Sequence, residues 1–164
     1  MATEYLSATL TLAVPAERVF AVLADPTAHV AIDGTGWLRE PVDRAPLTEA
    51  GQLFRMDMYH TRHPDGDYQV INKVVVFDAP RAIGWLTGSQ NDGGEPEFGG
   101  WVWRYDLEPL GPAETEVKLG YDWSAVPQSR REFIQFPPFG PEHLENSLRH
   151  LAGLAAPAAQ ASGR

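Results

Sequence analysis

The stretch Gly99–Ser124, GGWVWRYDLEPLGPAETEVKLGYDWS, decides how the rest of the chain is read. Side chains on a strand alternate between two faces. With that period Trp101, Trp103, Tyr105 and Leu107 share one face, and Val102, Arg104, Asp106 and Glu108 share the other. Gly111-Pro112 marks a turn, and the alternation resumes with Val117, Leu119, Tyr121 and Trp123 against Glu116, Lys118 and Asp122. The pattern predicts a long antiparallel hairpin with one aromatic and one charged wall. It holds three of the five tryptophans and two of the five tyrosines. Most cores are filled by Leu, Ile and Val, whereas indole and phenol rings carry polar tips that need partners. The aromatic face therefore suits a cavity lining, and it also suits a packed core.

Working upstream, Gly88–Gly100 is rich in Gly, Asn, Asp and Glu and reads as a loop. Arg81–Thr87 before it is a short strand with Ile83 and Trp85 on one side. Tyr68–Asp78 is a longer one: Lys73 marks the wet face, which turns Tyr68, Val70, Asn72, Val74 and Val76 inward. A turn at His63-Pro64-Asp65-Gly66-Asp67 joins it to Leu53–His60, where Phe54, Met56, Met58 and His60 share a face. A weak strand around Trp37–Arg44 contains Pro41 and so belongs near a sheet edge. Thr3–Val14 alternates cleanly, with Leu6, Ala8, Leu10 and Leu12 on one face. Pro15 then opens a helix with Val19, Phe20, Val22 and Leu23 on its apolar side. Asp25-Pro26 ends it and caps a second short helix, Thr27–Ile32. Downstream of the hairpin, Ser129–Phe136 reads as a short helix. Pro141 begins the last one, whose apolar stripe is Leu144, Leu148, Leu151 and Leu154, with Ser147 and Ala155 beside it.

The order is strand, two short helices, six strands and a long C-terminal helix, an α+β arrangement. Residues 1–156 are expected to form a single domain, and residues 157–164 a flexible tail. A helix that buries one stripe needs a sheet curved around it, and strong curvature leaves space between the two.

The chain has 164 residues, 43% of them hydrophobic and 21% charged, ordinary for a globular domain with a real core. Its net charge of −9 argues against nucleic acid as a partner, because binding to phosphates needs clustered Lys and Arg and only Arg130-Arg131 stand together. There is no run long enough for a membrane span and no secretory pattern at the N-terminus. The absence of cysteine removes disulfides and thiolate chemistry and fits a reducing, cytoplasmic setting.

Five phrases occur in an order that resembles the START-like superfamily: VPAERVFAVLADP at 14–26, APRAIGW at 79–85, WRYDLEP at 103–109, YDWS at 121–124 and EHLENSLRHLAGL at 142–154. The branch that it resembles is that of polyketide cyclase/dehydrase and lipid-transport proteins (SRPBCC), and the likeness runs from about Glu4 to Leu154. The resemblance implies a helix-grip fold. In that fold a curved seven-stranded antiparallel sheet holds a long C-terminal helix, two short helices follow the first strand, and a deep apolar cavity lies between sheet and helix. Fold alone does not decide activity.

With that cavity assumed, its ligand-binding wall would comprise Met56, Met58, Trp85, Trp101, Trp103 and Trp123, with Phe133, Phe136, Phe139 and His143 near its mouth or roof. Adaptable methionines and flat aromatic faces suit a hydrophobic, aromatic or polycyclic ligand. Cyclising or dehydrating a polyketide-like substrate needs a base and a hydrogen-bond donor to a developing enolate. His60, Asn72, Tyr105 and Tyr121 are the catalytic candidates, with His143 a further one. Each has a plainer reading as a surface or core residue. Asp33 and Trp37 flank the implied cavity entrance, although Asp33-Gly34 reads more simply as a turn. The five histidines show no paired metal-ligand spacing; His60 and His63 lack a third ligand. No phosphate-binding glycine motif is present. No metal or cofactor is expected. The candidate functions are a cofactor-free cyclase or dehydratase, a non-catalytic carrier of a hydrophobic ligand, and a protein-interaction module. Monomer and homodimer both stay open.

Overall fold

The computed structural model describes residues 4–33, 38–59, 67–89, 95–132, 136, 140 and 142–155. Strand β1 (Tyr5–Leu12) leads into helix α1 (Ala16–Leu23), a 3-10 turn (Pro26–Ala28) and helix α2 (His29–Ile32). Strands β2 (Leu38–Pro41), β3 (Leu53–Tyr59), β4 (Asp67–Asp78), β5 (Ala82–Ser89), β6 (Glu97–Gly111) and β7 (Glu114–Asp122) follow. The short helix α3 (Gln128–Arg131) and the long α4 (Glu142–Ala155) complete the order. The described strands form one antiparallel sheet in the order β1-β7-β6-β5-β4-β3-β2. This is the seven-stranded, curved helix-grip arrangement expected from the sequence.

Local chemistry explains each element. Pro15 supplies the extended residue before α1, at φ −60° and ψ 147°. Helix α1 buries Ala16, Val19, Phe20 and Leu23. Asp25 then accepts hydrogen bonds from the Thr27 N–H at 3.0 Å and the Thr27 hydroxyl at 2.6 Å, which caps the turn that follows. The β6–β7 hairpin pairs Trp103 with Tyr121, Tyr105 with Leu119 and Leu107 with Val117, so the aromatic positions do share one face. Register shifts interrupt β4–β5 between Val74 and Val76 and β5–β6 between Leu86 and Gly88. Such irregularities bend strands and let the sheet wrap.

Helix α4 lies across β1 and β7 and packs on α1 and α2. It buries Leu144, Leu148, Leu151 and Ala155, together with His143 and Ser147. Each buried leucine contributes roughly 1.5–3 kcal/mol of apolar transfer. Leu154 departs from expectation, being 42% exposed. At ~100° per residue it sits about 80° from Leu144, on the rim of the stripe, where it borders an open groove with Val22 of α1 and Ala28. Arg18 Nε donates to the Ala155 carbonyl at 2.9 Å and ties α1 to the end of α4.

The expected loop Gly88–Gly100 is also shorter than its composition suggests, because β5 runs through Ser89 and β6 starts at Glu97. Glycine is used there for contact between strands. A Cβ on Gly88 would sit 2.7 Å from the Phe98 Cα, so the bulged pairing of β5 with β6 needs its absence.

Candidate functional site

The inward face of the sheet divides into two halves. Toward one end Val74, Ile83, Leu107, Val117 and Leu119 are almost wholly buried and join Val19, Leu23, Leu148 and Leu151 in one core. Toward the other end Met58, Tyr68, Val70, Trp85, Trp101 and Trp103 face the same way yet stay partly exposed. The register puts them together: Met58 pairs with Tyr68, Trp85 with Trp103, and Trp103 with Tyr121. The apolar face of the sheet is thus dry at one end and keeps aromatic surface accessible at the other.

Aromatic rings line this second half in sequence. His29 stacks on Trp85 with centroids 5.0 Å apart and planes 18° from parallel, and Phe54 stands edge-on to both rings. Trp103 lies 4.5 Å from Tyr121 and has His143 edge-on at 5.4 Å. Trp101 meets Phe136 at 5.6 Å. Tyr121 continues to Trp123 at 5.7 Å. Met56, Tyr105, Tyr121 and Trp123 also point inward, but they are nearly sealed by their neighbours and back the wall. His60, Phe133, Phe139 and Trp37 lie outside the described residues.

Five polar side chains sit in or behind this wall. Asn72 is 4% exposed, and its side-chain oxygen accepts the Thr87 hydroxyl across β4–β5 at 2.7 Å. That bond satisfies the amide oxygen within the protein and weakens Asn72 as a catalytic candidate. His29 is buried, with Nε2 2.8 Å from the Leu23 carbonyl. Burial pushes its pKa below the usual 6.5, so the ring is neutral. His143 is 8% exposed in the first turn of α4. Burial pushes its pKa down, opposed by the charges of Asp33 and Glu142. Burial raises the pKa of Tyr105 and Tyr121, so both phenols remain protonated hydrogen-bond donors.

Asp33 is the residue the sequence reading undervalued. It ends α2, and its Oδ2 accepts the Leu38 N–H at 3.0 Å. Its charge acts on His143, Tyr105 and Tyr68, which come from α4, β6 and β4. The packing of α2 on α4 brings this about, and His150 Nδ1 lies 3.2 Å from the Ile32 carbonyl at that junction. One signal was available: an acid at a helix C-terminus is unfavourable for the helix itself, which points to a role elsewhere. His29, Tyr68 and Thr87 were likewise missed as members of this region. Among the described residues, no group of three His, Asp or Glu side chains stands together as a metal site.

No protein-family model matches the chain. It is 27% identical over 121 residues to the Mycobacterium tuberculosis protein Rv0088, which covers 74% of this chain and 48% of that protein. The chain thus spans about half the length of that curated relative. Among solved structures, NE0264 from Nitrosomonas europaea matches over 100% of both chains with a TM-score of 0.67 and 18% identity. An Arthrobacter aurescens protein matches over 94% of this chain and 88% of its own, with a TM-score of 0.66 and 16% identity. Ms6760 from Mycobacterium smegmatis matches over 93% and 90%, with a TM-score of 0.65 and 18% identity. At these identities the likeness is one of fold: the helix-grip architecture of this chain recurs in all three.

Proposed function

We propose that this chain is a START-like protein of the polyketide cyclase/dehydrase and lipid-transport type. It binds a flat, hydrophobic, aromatic or polycyclic small molecule at the accessible end of its sheet. One observation carries the reading: Trp85, Trp101 and Trp103 point inward, toward the helix side, and still keep part of their surface exposed. Indole faces in such a position stack on planar ligands, and Met58 beside them adapts to varied outlines. The neutral His143 adds a base to an otherwise apolar wall, and the protonated Tyr105 and Tyr121 lie directly behind it. That combination supports cofactor-free cyclisation or dehydration of a polyketide-like ligand.

Titration with flavone, 4-cholesten-3-one and 1-anilinonaphthalene-8-sulfonate, followed by tryptophan fluorescence, tests the binding claim. At least one probe is expected to quench or shift the emission saturably. Trp103→Ala is expected to weaken that probe about tenfold, about 1.4 kcal/mol, while Leu110→Ser on the exposed side of β6 leaves it unchanged. Absence of a saturable response to all three probes defeats the reading.

A further inference from the structure

The sheet ends in two edge strands, β1 on one side and β2 on the other. An edge strand carries a row of N–H and C=O groups that can pair with another chain, and proteins blunt it with short length, charge, proline or a bulge. Strand β2 shows each of these devices. It spans only Leu38–Pro41, carries Arg39, Glu40 and Pro41, and its register with β3 shifts. Strand β1 shows none of them. Its sequence, YLSATLTL, is eight residues long, uncharged and without proline or glycine, and its pairing with β7 runs unbroken from Tyr5 to Leu12. In a chain of net charge −9 this is a long neutral edge with none of the usual guards. We propose that β1 is a homodimerisation edge, which pairs antiparallel with β1 of a second copy and joins the two sheets into one.

The backbone shows which groups meet. The Trp123 N–H donates to the Glu4 carbonyl at 3.0 Å, so Glu4 and Trp123 form a hydrogen-bonded pair at the start of the ladder. Such pairs alternate along an antiparallel ladder. Leu6, Ala8, Leu10 and Leu12 therefore turn their N–H and C=O toward β7, and Tyr5, Ser7, Thr9 and Thr11 turn theirs to the outer side. Among the described residues no strand pairs with that side. The side chains of Tyr5, Ser7, Thr9 and Thr11 are all exposed. The large ring of Tyr5 leaves the approach clear. A Cβ on Gly120 would run into it, and the Lys118 ammonium lies over it, so the ring leans back across β7.

A second copy fits this edge because the strand is complementary to itself. In the two-fold register centred on Ala8, Ser7 exchanges both backbone bonds with the second copy's Thr9, and Tyr5 does so with its Thr11. On the inner face Leu6 lies opposite Leu10, and Ala8 opposite Ala8. Apolar residues meet apolar ones, hydroxyls meet hydroxyls, and no like charges are opposed. Leu6, Ala8 and Leu10 are only half-buried in the single chain, and the added strand covers them further.

Sedimentation equilibrium of the full chain tests the pairing. A reversible dimer is expected, weak because a strand edge is a small interface, and tighter at high salt, which screens the repulsion between two acidic chains. Thr9→Pro removes an outward N–H, leaves the bonds to β7 in place, and is expected to weaken the dimer at least about tenfold. Val42→Ser, exposed beside the other edge, is expected to leave it unchanged. Since the chain has no cysteine, a single introduced one reports the register. In the proposed dimer the two Ala8 Cα atoms lie about 4.5 Å apart as a non-hydrogen-bonded pair, a separation that a disulfide spans. A8C is expected to cross-link under mild oxidation, and S7C, which faces Thr9 rather than itself, to lag well behind. A monomer at every concentration up to about 1 mM overturns the proposal and leaves the edge to an extended segment of another protein. A dimer that T9P does not weaken, or that cross-links no faster through A8C than through S7C, overturns it as well. Where T9P does not fold, S7E takes its place by setting a charge into the contact, and an unweakened dimer again counts against the pairing.

Discussion

Thr87 shows how far a single side chain can be understood from its surroundings. Its hydroxyl donates to Asn72 inside the sheet face, where both are buried. Thr87→Val keeps the shape but strips the Asn72 oxygen of its donor in a site that water reaches poorly. The expected cost is about 1–3 kcal/mol in urea-induced unfolding. In the double variant N72L/T87V neither partner is left stranded, so it is expected to recover part of that loss, and strictly additive losses would refute the bond's role. Gly100 is constrained by its backbone. It has φ +101°, and a Cβ there would lie 2.7 Å from the Ala125 carbonyl oxygen. Its neighbour Gly99 leaves the space occupied by the Trp101 ring. The two glycines that open the aromatic stretch therefore aim Trp101. Gly99→Ala is expected to displace that indole, visible as a changed tryptophan emission with secondary structure retained.

Among the elements, α4 is where packing and site meet. Its middle and last turns are core, and its first turn carries His143 into the site. Leu151 is fully buried, and Leu151→Ala is expected to cost about 2–5 kcal/mol. Leu154→Ala, on the exposed rim, is expected to stay within about 0.5 kcal/mol. Equal losses in thermal melts would mean that the helix is rotated from the position described. The Arg55–Asp43 fork, with contacts of 2.8 and 3.0 Å, plays a smaller part by holding the segment after β2 against β3. Both side chains are substantially exposed, so its effect on stability is small.

For the whole molecule, the buried histidines set how stability depends on pH. Both His29 and His143 have folded-state pKa values below 6.5. The unfolded chain then binds more protons than the folded one as pH falls past that value. Stability is full above about pH 6.5 and declines below it. Asp43, held below 3.8 chiefly by its hydrogen bond from Arg55, acts in a separate window near pH 4 and lower. The melting temperature is expected to fall between pH 7 and 5, and His29→Gln or His143→Gln to flatten that fall. A wild-type profile flat across this range would show that the histidines do not titrate as their burial requires.

Pattern in the sequence was enough for the element order, most of the inward and outward faces and the aromatic character of the wall; the irregularity in β4 after Val74 overturned one face, turning Phe77 inward onto Phe20 where Val76 was expected. The features read correctly follow from short-range rules: successive Cβ atoms alternate across a strand, and a helix repeats every 3.6 residues. The faces of Trp101, Trp103, Tyr105, Tyr121 and Asn72 were all legible in this way. How deeply each is buried was not, because depth depends on where α4 crosses the sheet and on register between strands distant in sequence. Tertiary structure alone decided that Asn72 meets Thr87, that Trp123 backs the wall, that Leu154 emerges at the rim, and that glycines let β5 and β6 extend into an apparent loop. It also decided what surrounds Asp33. Next to Gly34 it has every local mark of a turn residue, and only the packing of α2 on α4 brings its charge to His143. That packing joins two helices from opposite ends of the chain, and no local periodicity can encode it.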